Sequence, residues 1–221
     1  MLRIELRDVQ RNNMNFFYEE LPNTVNVKGE NIKIITDFRE YIRLLDMLKD
    51  QELDALQKFA IIQQYFLDDI VADEEAISAL SCFITMDANC VEAAETGDCG
   101  RPQEKPKKNL FSYSIDYPYI LSGFLRDYGI DLIDIKYMHW WKFRMLFDGL
   151  SDDTEIKQRI MYRSVDLSEI KDKEERKRIK KIQKSIQLPS ESLTDYDIGN
   201  AFMWGDEDGQ NKETATDKKV V

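Results

Sequence analysis

The chain has 221 residues, of which 43% are hydrophobic and 11% aromatic, enough apolar side chains to build a packed core. Its formal net charge of −11 argues against a general affinity for nucleic acids or anionic membranes. It contains no run of about eighteen apolar residues, and its N-terminus lacks the apolar stretch of a secretion signal. The composition therefore predicts a soluble, intracellular protein.

The first part of the chain predicts a β-hairpin. Residues 1–20 show no periodic pattern and are expected to be irregular. Two short β-favouring runs, 24–27 and 32–35, flank the turn sequence Lys-Gly-Glu-Asn, which is typical of a hairpin. Because an isolated two-stranded hairpin is marginal in water, this one has to pack on a helix or pair with another strand or chain.

Three helices are predicted after the hairpin, from their caps and apolar spacing. Asp37 followed by Glu40 is a capping-box pattern, and Asp73 is expected to be the N-cap of the third helix. The predicted ranges are 38–49, about 53–66, and 74–85. Together with the hairpin, these helices form a predicted lobe over residues 21–87.

The composition changes sharply after residue 87. Residues 88–109 combine glycine, proline and mixed charge without periodicity, which indicates a linker or mobile loop. This segment is longer than the usual connection inside a compact domain. Two alternatives are therefore open, either two lobes or one lobe with a flexible excursion.

Residues 110–189 predict a second helical lobe, centred on an aromatic helix. The stretch from Tyr137 to Phe147 contains two adjacent tryptophans and is apolar around most of its girth, as expected of a central helix. Pro118 suits the first turn of the preceding helix, and Gly129 suits its left-handed C-cap. The predicted fold is thus mainly α, with a short N-terminal hairpin and a core built around the Tyr137–Phe147 helix.

The end of the chain, residues 190–221, is acidic and irregular and is predicted to be a disordered tail. It nevertheless contains one apolar patch that is suited to docking on a partner. The residues of this patch are Tyr196, Ile198, Phe202, Met203 and Trp204.

No residue pattern indicates catalysis or a cofactor. His139 is the only histidine, so a catalytic or metal-binding role lacks partners, and a helix residue at the edge of the core is favoured. The cysteines are odd in number and lack C-x-x-C spacing, which favours reduced thiols over a metal site. These are Cys82, Cys90 and Cys99. The chain is therefore predicted to be non-enzymatic.

A helix predicted over about 168–187 carries the strongest electrostatic feature of the sequence. Its basic residues between 176 and 184 follow Asp172, Glu174 and Glu175, an order that stabilises a helix and its dipole. A solvated or protein-facing helix is favoured, and a nucleic-acid contact through 171–187 is the alternative. Three isoleucines form a narrow seam suited to helix-to-helix docking. These predicted partner-binding residues are Ile179, Ile182 and Ile186.

Four stretches carry a resemblance to a known family. They are LPNTVNVKGENIKIITDFREYIRLLDML, YGIDL, YMHWWKFRMLFDGLSDDT and MYRSVDLSEIKDKEERKRIKK. In these stretches the chain resembles the bacteriophage gene product fifteen family of siphophage and prophage tail-module proteins. The resemblance covers roughly residues 21–48 and 111–189, and residues 88–108 contain no matching motif.

The resemblance implies a phage or prophage tail assembly chaperone in the bacterial host cytoplasm. Such proteins are regarded as coating the tape measure protein until the tail tube polymerises around it. The implied partners are the tape measure protein and further copies of the chain, with no membrane and no catalytic residues to transfer. The competing function is a nucleic-acid-associated phage accessory protein that uses the basic helix, and an enzyme ranks last.

Overall fold

The computed structural model describes residues 16–86 and 110–188. Within these residues a two-stranded hairpin precedes seven helices, so the predicted mainly-α fold class is confirmed. The predicted linker at 88–109 and the predicted tail at 190–221 lie entirely outside the described residues. The same is true of most of the N-terminal segment 1–20.

The hairpin pairs strands β1 (Thr24–Val27) and β2 (Glu30–Lys33) in antiparallel register, with Val25 opposite Ile32. Lys28 and Gly29 form the turn with φ values of 54° and 84°. Because this turn is tight, the second strand begins two residues earlier than predicted.

The first three helices each begin after an aspartate whose carboxylate accepts a backbone N–H of the first turn. They are α1 (Phe38–Lys49), α2 (Ala55–Gln63) and α3 (Glu74–Thr85). Helices α1 and α3 have the predicted bounds. Helix α2 is shorter than predicted because the chain beyond it turns to form a β-bridge between Phe66 and Ile34. Strand β1 packs against α3, which gives the hairpin its support.

Four helices follow the segment 87–109. They are α4 (Tyr113–Tyr128), α5 (Trp140–Asp148), α6 (Glu155–Ser164) and α7 (Lys173–Ser185). Helix α4 is capped by Ser112, so Pro118 lies inside the helix and not in its first turn as predicted. The proline is tolerated because Ser114, whose carbonyl loses its helical partner, is exposed to water. Gly129 is the left-handed C-cap, as predicted, with φ of 64°.

Helices α5 and α7 begin later than predicted, at Trp140 and Lys173. Before α5, the backbone is extended and bonded to the start of α1. The Phe38 N–H donates to the Met138 carbonyl at 3.0 Å, and the Trp140 N–H donates to the Thr36 carbonyl at 2.7 Å. These long-range bonds replace the first helical turn that the apolar spacing predicted.

The core is aromatic and centred on α5. Trp140 is fully buried, with ring-centroid distances of 5.4 Å to Tyr41 and 5.9 Å to Phe143. Its indole N–H donates to the carbonyl of Ile84 at the end of α3, at 3.0 Å. Buried residues from both sides of the 87–109 segment thus belong to one hydrophobic cluster. The predicted division into two lobes, with its boundaries at the ends of the predicted linker, stays a prediction.

Candidate functional site

The isoleucine seam of α7 is turned largely towards the protein itself. Ile179 is 8% exposed, while Ile182 and Ile186 are half-buried. Helix α7 packs on α6, and Gln183 donates from its side chain to the Tyr162 carbonyl at 2.8 Å. Ile179 is therefore covered while α7 stays docked. Partner binding by the three predicted residues stays a prediction.

The basic residues of α7 are exposed, and some pair with acidic residues of the preceding turn. Lys177 lies 2.8 Å from Glu174, and Arg178 lies 4.0 Å from Glu175. Such exposed pairs contribute little to stability. Four more lysines on this helix are exposed, namely Lys173, Lys180, Lys181 and Lys184. The nucleic-acid alternative also stays a prediction.

Helix α2 presents an apolar face to solvent. Leu56 and Phe59, which are 79% and 37% exposed, lie with Ala60 on one face of the helix, next to the face that buries Ile62. Lys58 is the only charged residue of this helix, whereas a third of the whole chain is charged. The apolar spacing predicted the helix but did not show which of its two apolar sides would be buried.

The loop after α2 extends this apolar face. The Gln63 side chain donates to the Ile70 carbonyl and accepts the Ala72 N–H at 2.7 Å, which holds the loop against the last turn of α2. Val71, between these two residues, is 82% exposed. We call the resulting surface the α2 strip. It consists of Leu56, Phe59, Ala60 and Val71.

A second apolar surface feature is a groove between α1 and α4, with a volume of about 250 Å³. Most of its lining is aliphatic or aromatic. The lining residues are Phe38, Arg39, Ile42, Tyr113, Ser114, Tyr117, Ile120, Leu121, Leu132 and Phe143. We call this feature the α1/α4 groove.

Arg39 is the charged residue in the lining of the α1/α4 groove. Its guanidinium lies 4.9 Å from the centre of the Phe38 ring. It donates to the carbonyls of Leu132, at 3.3 Å, and Ile135, and to the Asp37 carboxylate at 3.3 Å. These bonds fix the side chain, so the Arg39–Asp37 ion pair lies beside the apolar lining of the groove.

A buried ion pair joins α4 to α6. Both guanidinium Nη atoms of Arg163 donate to the Asp116 carboxylate, at 2.6 and 2.9 Å. Arg163 also donates to the carbonyls of Leu110 and Ile186, at 3.0 and 2.7 Å. The sequence did not predict this pair. The one available signal was that Asp116 shares the helical face of the buried Tyr113 and Ile120.

His139 is the N-cap of α5. Its Nδ1 accepts the Trp141 N–H at 3.0 Å, so its Nε2 carries the proton and donates to the Pro22 carbonyl at 2.9 Å. Burial lowers the pKa of His139, and the bond to Pro22 opposes that shift. Both ring nitrogens are thus engaged in structural bonds, in agreement with a residue at the edge of the core.

Within residues 16–86 and 110–188, no cluster of three or more histidine, cysteine or acidic side chains is placed to hold a metal ion. Cys82 lies half-buried on α3. Cys90 and Cys99 lie outside the described residues. None of the helices in the described ranges is both long and apolar enough to cross a bilayer.

Comparison with known proteins identifies the family. A family model described as Bacteriophage Gp15 protein matches residues 17–188, a range that includes the hairpin, all seven described helices and the core they share. No curated protein and no solved structure matches the chain. The family match covers well over half of the sequence and confirms the resemblance found in its four motif stretches. The chain belongs to the bacteriophage Gp15 protein family and is a phage protein.

Proposed function

We propose that this phage protein is a tail assembly chaperone, a non-enzymatic binding protein that coats the tape measure protein in the host cytoplasm. Membership of the Gp15 family supports a phage role. The observation that carries the finer proposal is the α2 strip, an exposed and uncharged helix face on a highly charged protein.

The α2 strip suits docking against another helix. Leu56, Phe59 and Ala60 follow the i, i+3, i+4 spacing by which one helix presents an apolar stripe to another. Burying a large apolar side chain contributes about 1.5–3 kcal/mol. Two such side chains contribute about 3–6 kcal/mol, which offsets only the low end of the roughly 4–15 kcal/mol lost on association. A single contact is therefore weak.

A weak contact is the kind that a coating protein requires. Many copies bound along one extended helical partner gain affinity from their number, and each copy can still leave when the tail tube forms. The absence of carboxylates from the strip also matters, because the net charge of −11 makes copies of this chain repel one another. Docking the strip on the tape measure protein brings no carboxylate of this chain into the contact, so it does not add to that repulsion.

The test is co-expression with the tape measure protein of the same phage, followed by purification through a tag on the tape measure protein. The double variant Leu56→Gln/Phe59→Gln should lose at least tenfold in co-purified chain. The matched control is Leu125→Gln/Met161→Gln, which changes two exposed apolar residues on α4 and α6. Equal recovery of both variants would contradict the proposal.

A third variant separates the α2 strip from the isoleucine seam of α7. Ile182→Asp places a charge on a half-buried position of that seam. If the strip is the binding surface, this variant binds like the wild type as long as its circular dichroism spectrum and melting temperature are retained. Loss of binding by a folded Ile182→Asp variant would move the binding surface to α7.

A further inference from the structure

We infer that the acidic C-terminal segment of this same chain, residues 195–204, docks in the α1/α4 groove. The segment lies outside the described residues, and the family match ends before it, at residue 188. Three observations support this occupant. They are the place where the described chain ends, the size of the groove, and the side chains available to fill it.

The described chain ends beside the start of α4. Leu188 is buried, and the carbonyl of Ile186 accepts from Arg163, which also binds Asp116 in the first turns of α4. The same part of α4 lines the groove through Tyr113 and Ser114. The six residues from 189 to 194 span up to about 20 Å when extended, a length that brings the segment 195–204 within range of the groove at the start of α4.

The groove has the size of a side-chain pocket. Its volume of about 250 Å³ lies below the roughly 300–1,000 Å³ of pockets that hold small-molecule ligands. One or two large apolar side chains fill such a space. The segment 195–204 reads DYDIGNAFMW and supplies Ile198 and Phe202, spaced by four, with Trp204 beyond them. The nearer segment 88–108 has Val91 as its only large aliphatic side chain and no aromatic one.

The charges are compatible with this occupant. Asp197 directly precedes Ile198, with Asp195 two residues before it, and the groove is lined by the fixed guanidinium of Arg39, which also pairs with Asp37. A second carboxylate, that of Asp46, accepts the hydroxyl proton of Ser114, which also lines the groove. The apolar lining therefore contributes most of the affinity.

The test uses fluorine NMR on the full chain labelled with 5-fluorotryptophan, with Trp204→Phe identifying the Trp204 resonance. We expect that resonance away from its position in the urea-unfolded chain. Leu121→Gln, in the groove, should move it to that position. The matched control Leu125→Gln, one turn along α4 and outside the groove lining, should leave it in place. An unfolded-like Trp204 resonance in the wild type, or no response to Leu121→Gln, would overturn the inference.

Two further measurements keep the test decisive. Ile198→Gln/Phe202→Gln leaves the groove unchanged and should release Trp204 as Leu121→Gln does, even if the latter variant fails to fold. The wild-type resonance should also be independent of protein concentration. A shift on dilution would make the occupant the tail of a second copy and refute docking within one chain. Because the groove and the α2 strip are different surfaces, either proposal can fail while the other holds.

Discussion

Replacing Arg163 by methionine should remove much of the stability of this protein. Asp116 is 0% exposed, so its carboxylate would be left buried without its cation. Breaking a buried ion pair in this way costs about 3–5 kcal/mol. The carbonyls of Leu110 and Ile186 also lose the guanidinium as hydrogen-bond donor. Because water replaces this donor only in part, each lost bond lowers the stability by about 1 kcal/mol. The expected loss of about 5–7 kcal/mol is comparable to the whole stability of a marginally stable domain.

The assay is urea unfolding followed by circular dichroism, with a matched arginine as control. Arg159 lies one turn earlier on α6, pairs with the half-exposed Glu155 at 2.8 Å, and covers the Tyr119 ring at 3.7 Å. Arg159→Met should therefore cost only about 1 kcal/mol. The double variant Asp116→Leu/Arg163→Met removes both buried charges and should recover about 2 kcal/mol relative to Arg163→Met alone.

The comparison between the two arginine variants tests whether the buried ion pair is a major source of stability. If Arg163→Met and Arg159→Met shift the urea midpoint equally, the buried pair is not a major support of the contact between α4 and α6. If the double variant is no more stable than Arg163→Met, the stability lost in Arg163→Met does not come from an uncompensated charge on the buried Asp116.

Two further predictions concern α5. Trp140→Ala should lower the free energy of unfolding by about 3–5 kcal/mol, because a fully buried ring is removed and the Ile84 carbonyl loses its donor; an unchanged denaturant midpoint would show that this helix is peripheral. The lowered pKa of His139 means that the unfolded chain binds its proton more readily than the folded one. This contribution to stability should be complete above about pH 6.5, the ordinary histidine pKa, and should decline as the pH falls below it. Urea midpoints at about pH 7.5 and pH 5.5 measure the decline, and His139→Asn, which caps without titrating, should remove this part of it; an equal decline in that variant would refute the assignment.

The sequence by itself determined the features that depend on near neighbours. The bounds of α1 and α3 follow from Asp37 and Asp73, whose carboxylates meet N–H groups two or three residues away. Gly129 ends α4 because a left-handed C-cap favours the residue without a Cβ. The predicted fold class and the family resemblance also came from patterns within continuous stretches of the chain.

The tertiary structure decided the features that depend on distant partners. Helix α5 begins at Trp140, not Tyr137, because backbone groups at 36 and 38 take the hydrogen bonds of its expected first turn. Asp116 is buried because Arg163 neutralises it from 47 residues away. The sequence likewise did not determine which side of α2 would be exposed, because a helix that is apolar on two sides gives no local signal of which side will pack against the core. Such choices are made by the free energy of packing between elements, which no single stretch of sequence contains.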